Sequence, residues 1–170
     1  MPQNVEIKAR INRSKFEQIE SLAAGMATAG PIHLTQTDTF FETHRGRLKI
    51  REFGDQTAEL IFYERPDCEG PKTSSYIRST CEPSVKNALA AAYAVSGVVE
   101  KRRVVYLIDQ TRVHLDQVAG LGTYLELEVV IEDDQAPAVG DAIAQQLMKD
   151  LGIEESDLVS GAYVDLLAKS

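Results

Sequence analysis

A chain of 170 residues, 44% apolar and 26% charged, is sized for one domain with a real core, and residues 1–170 contain no linker or repeat that would divide it. A net charge of −8, no Trp and only 6% aromatic residues argue against general nucleic-acid binding and against a stacking platform for single-stranded RNA. No apolar run reaches the length of a bilayer-spanning helix, so no membrane partner is expected. The first residues lack the basic-then-apolar layout of a secretory signal, which predicts a cytoplasmic location. Cys68 and Cys81 are expected there as free thiols.

The N-terminal stretch Asn4–Ile11 alternates strictly. Val5, Ile7, Ala9 and Ile11 share one face of an extended strand, and Asn4, Glu6, Lys8 and Arg10 the other. Ser14 and Glu17 fit a helix N-cap box. The helix is predicted to run to about Ala27, burying Phe16, Ile19, Leu22 and Ala23, with Gly30-Pro31 as its stop. Strands are predicted at Ile32–Phe41, Arg47–Arg51, Ala58–Arg65 and Lys72–Thr80. Pro83 and Ser84 open a second helix through an Ala-rich run, with Gly97 as its close. Strands follow at Val98–Ile108, Thr111–Val118 and Tyr124–Ile131, and two helices at Val139–Leu151 and Ser160–Ala168 finish the chain. Eight strands joined mostly by tight turns favour an antiparallel sheet.

The charges are unevenly placed. Residues 129–170 hold nine acidic residues and only two basic ones, Lys149 and Lys169. Most cations lie on the strands upstream, as in Arg47-Leu48-Lys49-Ile50-Arg51 and Lys101-Arg102-Arg103. Two arrangements satisfy this pattern. One is an open antiparallel sheet with helices on one face and a solvated, salt-bridged face opposite. The other is a closed eight-stranded barrel with helices packed outside it, an α+β fold whose charged faces line the inside. In the barrel the lumen holds Lys8, Lys49, Arg51, Lys72, Arg78, Lys101 and Arg103, together with Glu6, Asp116, Glu126 and Glu128. Unpaired ions are costly to bury, so such a lumen is a wet tunnel whose cations meet an anionic ligand.

The ordered set Val5-Glu6-Ile7-Lys8, Leu48-Lys49-Ile50-Arg51, Lys101-Arg102-Arg103, Leu115-Asp116, Gly122, Leu125-Glu126-Leu127-Glu128 and Tyr163-Val164-Asp165-Leu166-Leu167 resembles the CYTH domain pattern over nearly the whole chain. CYTH proteins are the triphosphate tunnel metalloenzymes: class IV adenylyl cyclases, thiamine triphosphatases and inorganic triphosphatases. The resemblance implies an eight-stranded antiparallel tunnel that binds a triphosphate with Mg²⁺ or Mn²⁺. It implies phosphate contacts from Lys8, Lys49, Arg51, Lys72, Arg78, Lys101 and Arg103, with Lys8, Lys101 and Arg103 acting in catalysis. It implies metal ligation by Glu6, Glu126 and Glu128, then Asp116, hard oxygen donors suited to those ions.

The partner so implied is a small triphosphate: ATP, tripolyphosphate or thiamine triphosphate. A homodimer is compatible with the resemblance. Two reactions fit. Water attacks the terminal phosphate, or a ribose hydroxyl attacks the α-phosphate to give cAMP and pyrophosphate. A non-catalytic module that holds polyphosphate or nucleotide is the alternative, because Asn4 stands where the family's first strand carries a Glu. Ser74, Tyr76 and Arg78 also depart from the family pattern, and Tyr63 or Arg65 occupies the place of an expected inward Lys. His114 reads as structural, with a proton carrier as the lesser alternative, Tyr163 as packing for the last helix, and Arg10, Arg47 and Arg65 as strand-end charges outside the site.

Overall fold

The computed structural model describes all 170 residues. Eight strands form one closed antiparallel barrel: β1 (Gln3–Arg10), β2 (Ala29–Phe41), β3 (Arg47–Phe53), β4 (Ala58–Glu64), β5 (Lys72–Cys81), β6 (Val95–Ile108), β7 (Thr111–Val118) and β8 (Gly122–Ile131). Around the barrel the order is β1-β5-β4-β3-β2-β6-β7-β8, and β8 returns to β1. The helices are α1 (Arg13–Met26), α2 (Val85–Ala92), α3 (Pro137–Leu151) and α4 (Tyr163–Lys169). No helix is long and apolar enough to cross a membrane.

The main core lies outside the barrel, between strands and helices. Val5, Ile7 and Ala9 of β1 join Val113, Leu115, Leu125, Leu127 and Val129 in packing against Phe16, Ile19 and Ala23 of α1 and Ala144, Leu147, Met148 and Leu151 of α3. Burying each large apolar chain contributes about 1.5–3 kcal/mol. This explains the inversion of the barrel: with the apolar faces covered by helices, the polar faces turn inward. Close approach of α3 to β1 depends on Gly140, where a Cβ would come within 2.7 Å of Val5 Cγ2. Gly97 serves α4 the same way, with Val164 Cγ2 only 2.5 Å from a notional Cβ.

Several boundaries differ from expectation. The α1 N-cap is Asn12, whose side chain accepts from Lys15 N, not Ser14. Leu22 is 46% exposed, because the α1 face that meets the barrel is set by Phe16, Ile19 and Ala23. Gly30-Pro31 lies inside β2, at a register shift against β6, so the strand begins earlier than the proline suggests. Gly97 is no helix cap; α2 ends at Tyr93 and Gly97 belongs to β6. Gly152, by contrast, caps α3 in the left-handed conformation at φ 71°.

Candidate active site

The barrel surrounds a charged cavity of about 80 Å³. Strand alternation supplies its lining. On β1 the inward residues are Asn4, Glu6 and Lys8, and antiparallel pairing sets Glu6 opposite Glu128 and Lys8 opposite Glu126 of β8. His114 of β7 faces Glu126 in the next pair, and Arg103 of β6 faces Asp116.

One wall is cationic. Lys49 and Arg51 of β3 and Lys101 of β6 converge on Asp38 of β2. Lys49 Nζ donates to Asp38 Oδ2 at 2.8 Å, Lys101 Nζ to the same oxygen at 3.1 Å, and Arg51 grips both oxygens at 2.7 and 2.8 Å. Three cations share one buried carboxylate. Burial opposes ionisation of Asp38, but Arg51, Lys101 and Lys49 hold its carboxyl well below the usual range. Burial in turn brings Lys49 down to about 8, with Arg51 pushing the same way, and holds Lys101 well below its ordinary value.

Next to this wall, Arg103 forms a two-pronged pair with Asp116, both bonds 2.7 Å, and Tyr163 Oη donates to Asp116 Oδ2 at 2.7 Å. The Tyr163 ring lies 4.2 Å beneath Lys8 Nζ and 5.7 Å from Lys101 Nζ, favourable positions for cations over an aromatic face. Ala162, Tyr163 and Val164 pack with Phe40, Val99, Val118 and Tyr124. The start of α4 is therefore part of the cavity wall as well as packing.

The opposite wall is acidic. Arg65 pairs with Glu6 and also donates to the Gly161 carbonyl, which accepts from Lys8 as well. Burial raises the Glu6 carboxyl, and Glu126 adds to the rise. Burial opposes the charge on Glu126, but Lys8 and Arg103 hold its carboxyl well below the ordinary range. Arg103 Nη2 stands 3.6 Å from Glu126 Oε2, longer than a hydrogen bond. Glu128 Oε2 accepts from Arg112 Nε at 2.7 Å. His114 is buried, and burial together with Arg103 takes its imidazole down to about 4, so it is neutral near pH 7.

These groups fit a divalent cation. One atom each from His114, Glu126 and Glu128 lies within 4.8 Å of the others. Asn4 Oδ1 on the same wall is buried without a hydrogen-bond partner.

Not all expected residues stand free at the cavity. Lys72 is buried, but its amine donates to the Cys68 carbonyl at 2.8 Å. Arg78 reaches the cavity rim, 3.5 Å from Glu59, with 40% of its side chain exposed. Asp116 faces inward, accepting from Arg103 at both oxygens and from Tyr163 at Oδ2, which makes it an anchor for Arg103. Sequence reasoning passed over Asp38 and set Arg65 aside as a strand-end charge. Asp38 shares its face with Gln36 and Phe40, and Arg65 continues the series Ile61, Tyr63 that lines the cavity. In both, strict alternation was the signal.

The CYTH domain profile matches residues 2–163. The chain belongs to the CYTH domain family. Among solved structures, the PH1012 protein of Pyrococcus horikoshii OT3 is similar over 96% of this chain and 99% of its own, with 25% identity and a TM-score of 0.79. A candidate adenylyl cyclase of Hippeastrum, with a dominant triphosphatase activity, shares the fold at 14% identity and a TM-score of 0.72, covering 99% of this chain and 96% of its own. A candidate adenylate cyclase of Vibrio parahaemolyticus does so at 19% identity and 0.73, covering 97% of each chain. No curated protein matches the sequence. The CYTH fold is thus the closed α+β barrel described above.

Proposed function

We propose that this CYTH protein is a metal-dependent enzyme acting on a nucleoside or inorganic triphosphate held in the barrel, either a triphosphate phosphohydrolase or a class IV adenylyl cyclase. The observation that carries the reading is the convergence of Lys49, Arg51 and Lys101 on one carboxylate, opposite Glu6, Glu126 and Glu128. A surplus of cations inside the barrel suits a chain of phosphates, and the acidic wall suits the divalent ion that travels with them.

Substrate entry exchanges one anion for another. Phosphate oxygens take up the donors of Lys49, Arg51 and Lys101 that now satisfy Asp38, and the cavity widens as those pairs loosen. Arg103 meets phosphate as a planar fork, oriented from behind by Asp116 and Tyr163; Lys8, seated over the Tyr163 ring, acts as a point charge. The role of these groups is to position the phosphates and to stabilise charge that develops on the leaving oxygens. Glu126 and Glu128, with Glu6, would hold the divalent ion, which when bound supplies Lewis-acid polarisation of the phosphates.

A second reading rests on Asn4. It places a neutral amide where the family carries a carboxylate, which favours a module that binds polyphosphate or nucleotide without turnover. Purified protein incubated with ATP, tripolyphosphate or thiamine triphosphate and Mg²⁺ or Mn²⁺ separates the readings. Phosphate release identifies a hydrolase; cAMP with pyrophosphate identifies a cyclase. Tight binding with no product, and turnover on Asn4→Glu, identifies the module.

A further inference from the structure

We propose that the His114 imidazole supplies a nitrogen ligand to the divalent ion held by Glu126 and Glu128, so that this site selects first-row transition ions over Mg²⁺. The inference rests on the metal reading above and adds a ligand and a selectivity to it. Register is the first argument: His114 of β7 lies directly across from Glu126 of β8, and Glu128 is the next inward residue on that strand. Distance is the second. One ring nitrogen and one oxygen from each carboxylate fall within 4.8 Å of each other, a span that a shared ion with bonds of about 2.0–2.2 Å closes with small rotations.

The third argument is the lack of any other use for the ring. His114 is 4% exposed, its Nδ1 has no hydrogen-bond partner, and its Nε2 stands 3.7 Å from Glu128 Oε2, too far for a hydrogen bond. The carboxylates keep capacity too. Glu126 meets Arg103 only at 3.6 Å, and the bond from Arg112 takes one oxygen of Glu128. Asn4 Oδ1, also buried and without a partner, is a further oxygen donor on this wall. Mg²⁺ favours an all-oxygen shell, whereas imidazole suits the later divalent metals. A site with one nitrogen therefore ranks Co²⁺ above Mn²⁺ and both above Mg²⁺.

The test uses the full chain loaded with Mn²⁺ alone. Pulsed electron paramagnetic resonance of the wild type is expected to show ¹⁴N coupling from the ring. His114→Gln is expected to bind Mn²⁺ at least tenfold more weakly, to lose the coupling, and to change Mg²⁺ affinity less than threefold. Bound Mn²⁺ without nitrogen coupling in the wild type overturns the histidine assignment and leaves the carboxylate site standing. Equal loss of both ions in His114→Gln, in a variant that melts like the wild type, overturns the selectivity. No Mn²⁺ binding by the wild type overturns the metal reading of the cavity itself, and the histidine assignment with it.

Discussion

The two walls of the tunnel handle buried charge in opposite ways. On the β2–β3–β6 wall, Lys49, Arg51 and Lys101 all sit within hydrogen-bond distance of Asp38. That wall is complete without a ligand, but carries more positive charge than its single carboxylate cancels. On the β1–β8–β7 wall each group is only partly matched. Glu6 leans on Arg65, Glu128 on Arg112, and Glu126 on an Arg103 that is already committed to Asp116. The difference teaches that the tunnel is not a uniform charged lining. It is a cationic cradle held open by its own counter-ion, facing an acidic cluster that retains free donors.

The largest expected effect comes from removing the counter-ion. Asp38→Asn leaves three buried cations facing one another and is expected to cost about 3–5 kcal/mol in urea unfolding. A loss below about 1 kcal/mol would show that the cationic wall is wetter and less coupled than described. Next is Arg103→Lys, which keeps the charge and loses the fork. A fall of at least tenfold in kcat/KM for tripolyphosphate is expected, about 1.4 kcal/mol of transition-state stabilisation. An unchanged value would move phosphate recognition onto Lys49, Arg51 and Lys101 alone.

On the acidic wall, Glu126→Gln is expected to raise the divalent-ion concentration needed for half-maximal turnover about tenfold, with little change in melting. A large loss of stability instead would make Glu126 a structural partner of Lys8 and Arg103. The smallest effect is one of pH. Burial places Lys8 and Lys49 near 8 in the folded chain against an ordinary 10.5. Above pH 8 the unfolded chain retains more protons on these two groups, so their contribution makes folding more favourable as pH rises from 8 toward 9.5. Tripolyphosphate affinity moves the other way, since neutral amines attract phosphate poorly. KM rising across that window while thermal stability holds or increases is the signature; parallel loss of both would break it.

Much of this was legible in the sequence because β1, β3 and β8 alternate without interruption. Glu6 and Lys8, Lys49 and Arg51, and Glu126 and Glu128 fall on one face by simple parity. Closure into a barrel was less accessible. An open sheet satisfies the same alternation, and the deciding fact is that β1 pairs with both β5 and β8. Asp38 escaped notice because, although alternation sets it on a face with Gln36 and Phe40, no second charge on that strand face marks it. Its meaning appears only when β3 and β6 flank β2 and bring their cations across. His114 carries no spacing signal as a single histidine in a strand; its place across from Glu126 comes from the β7–β8 register. The part of Tyr163 in the cavity wall depends on how the last helix docks, which residue order alone does not specify.

Closure of the barrel sets when the tunnel comes into being. Gln3 meets Ile131 and Arg10 meets Tyr124, so the seam joins the beginning of the chain to a segment made long afterwards, and Tyr163 arrives later still. During synthesis on a ribosome, the first strand waits beside an incomplete sheet, with Glu6 and Lys8 still hydrated. Pairings this distant place the protein among slow folders, on a scale of about milliseconds to seconds. The charged interior is complete only when both of those segments are present, since Glu6 and Lys8 meet Glu128 and Glu126 across the seam.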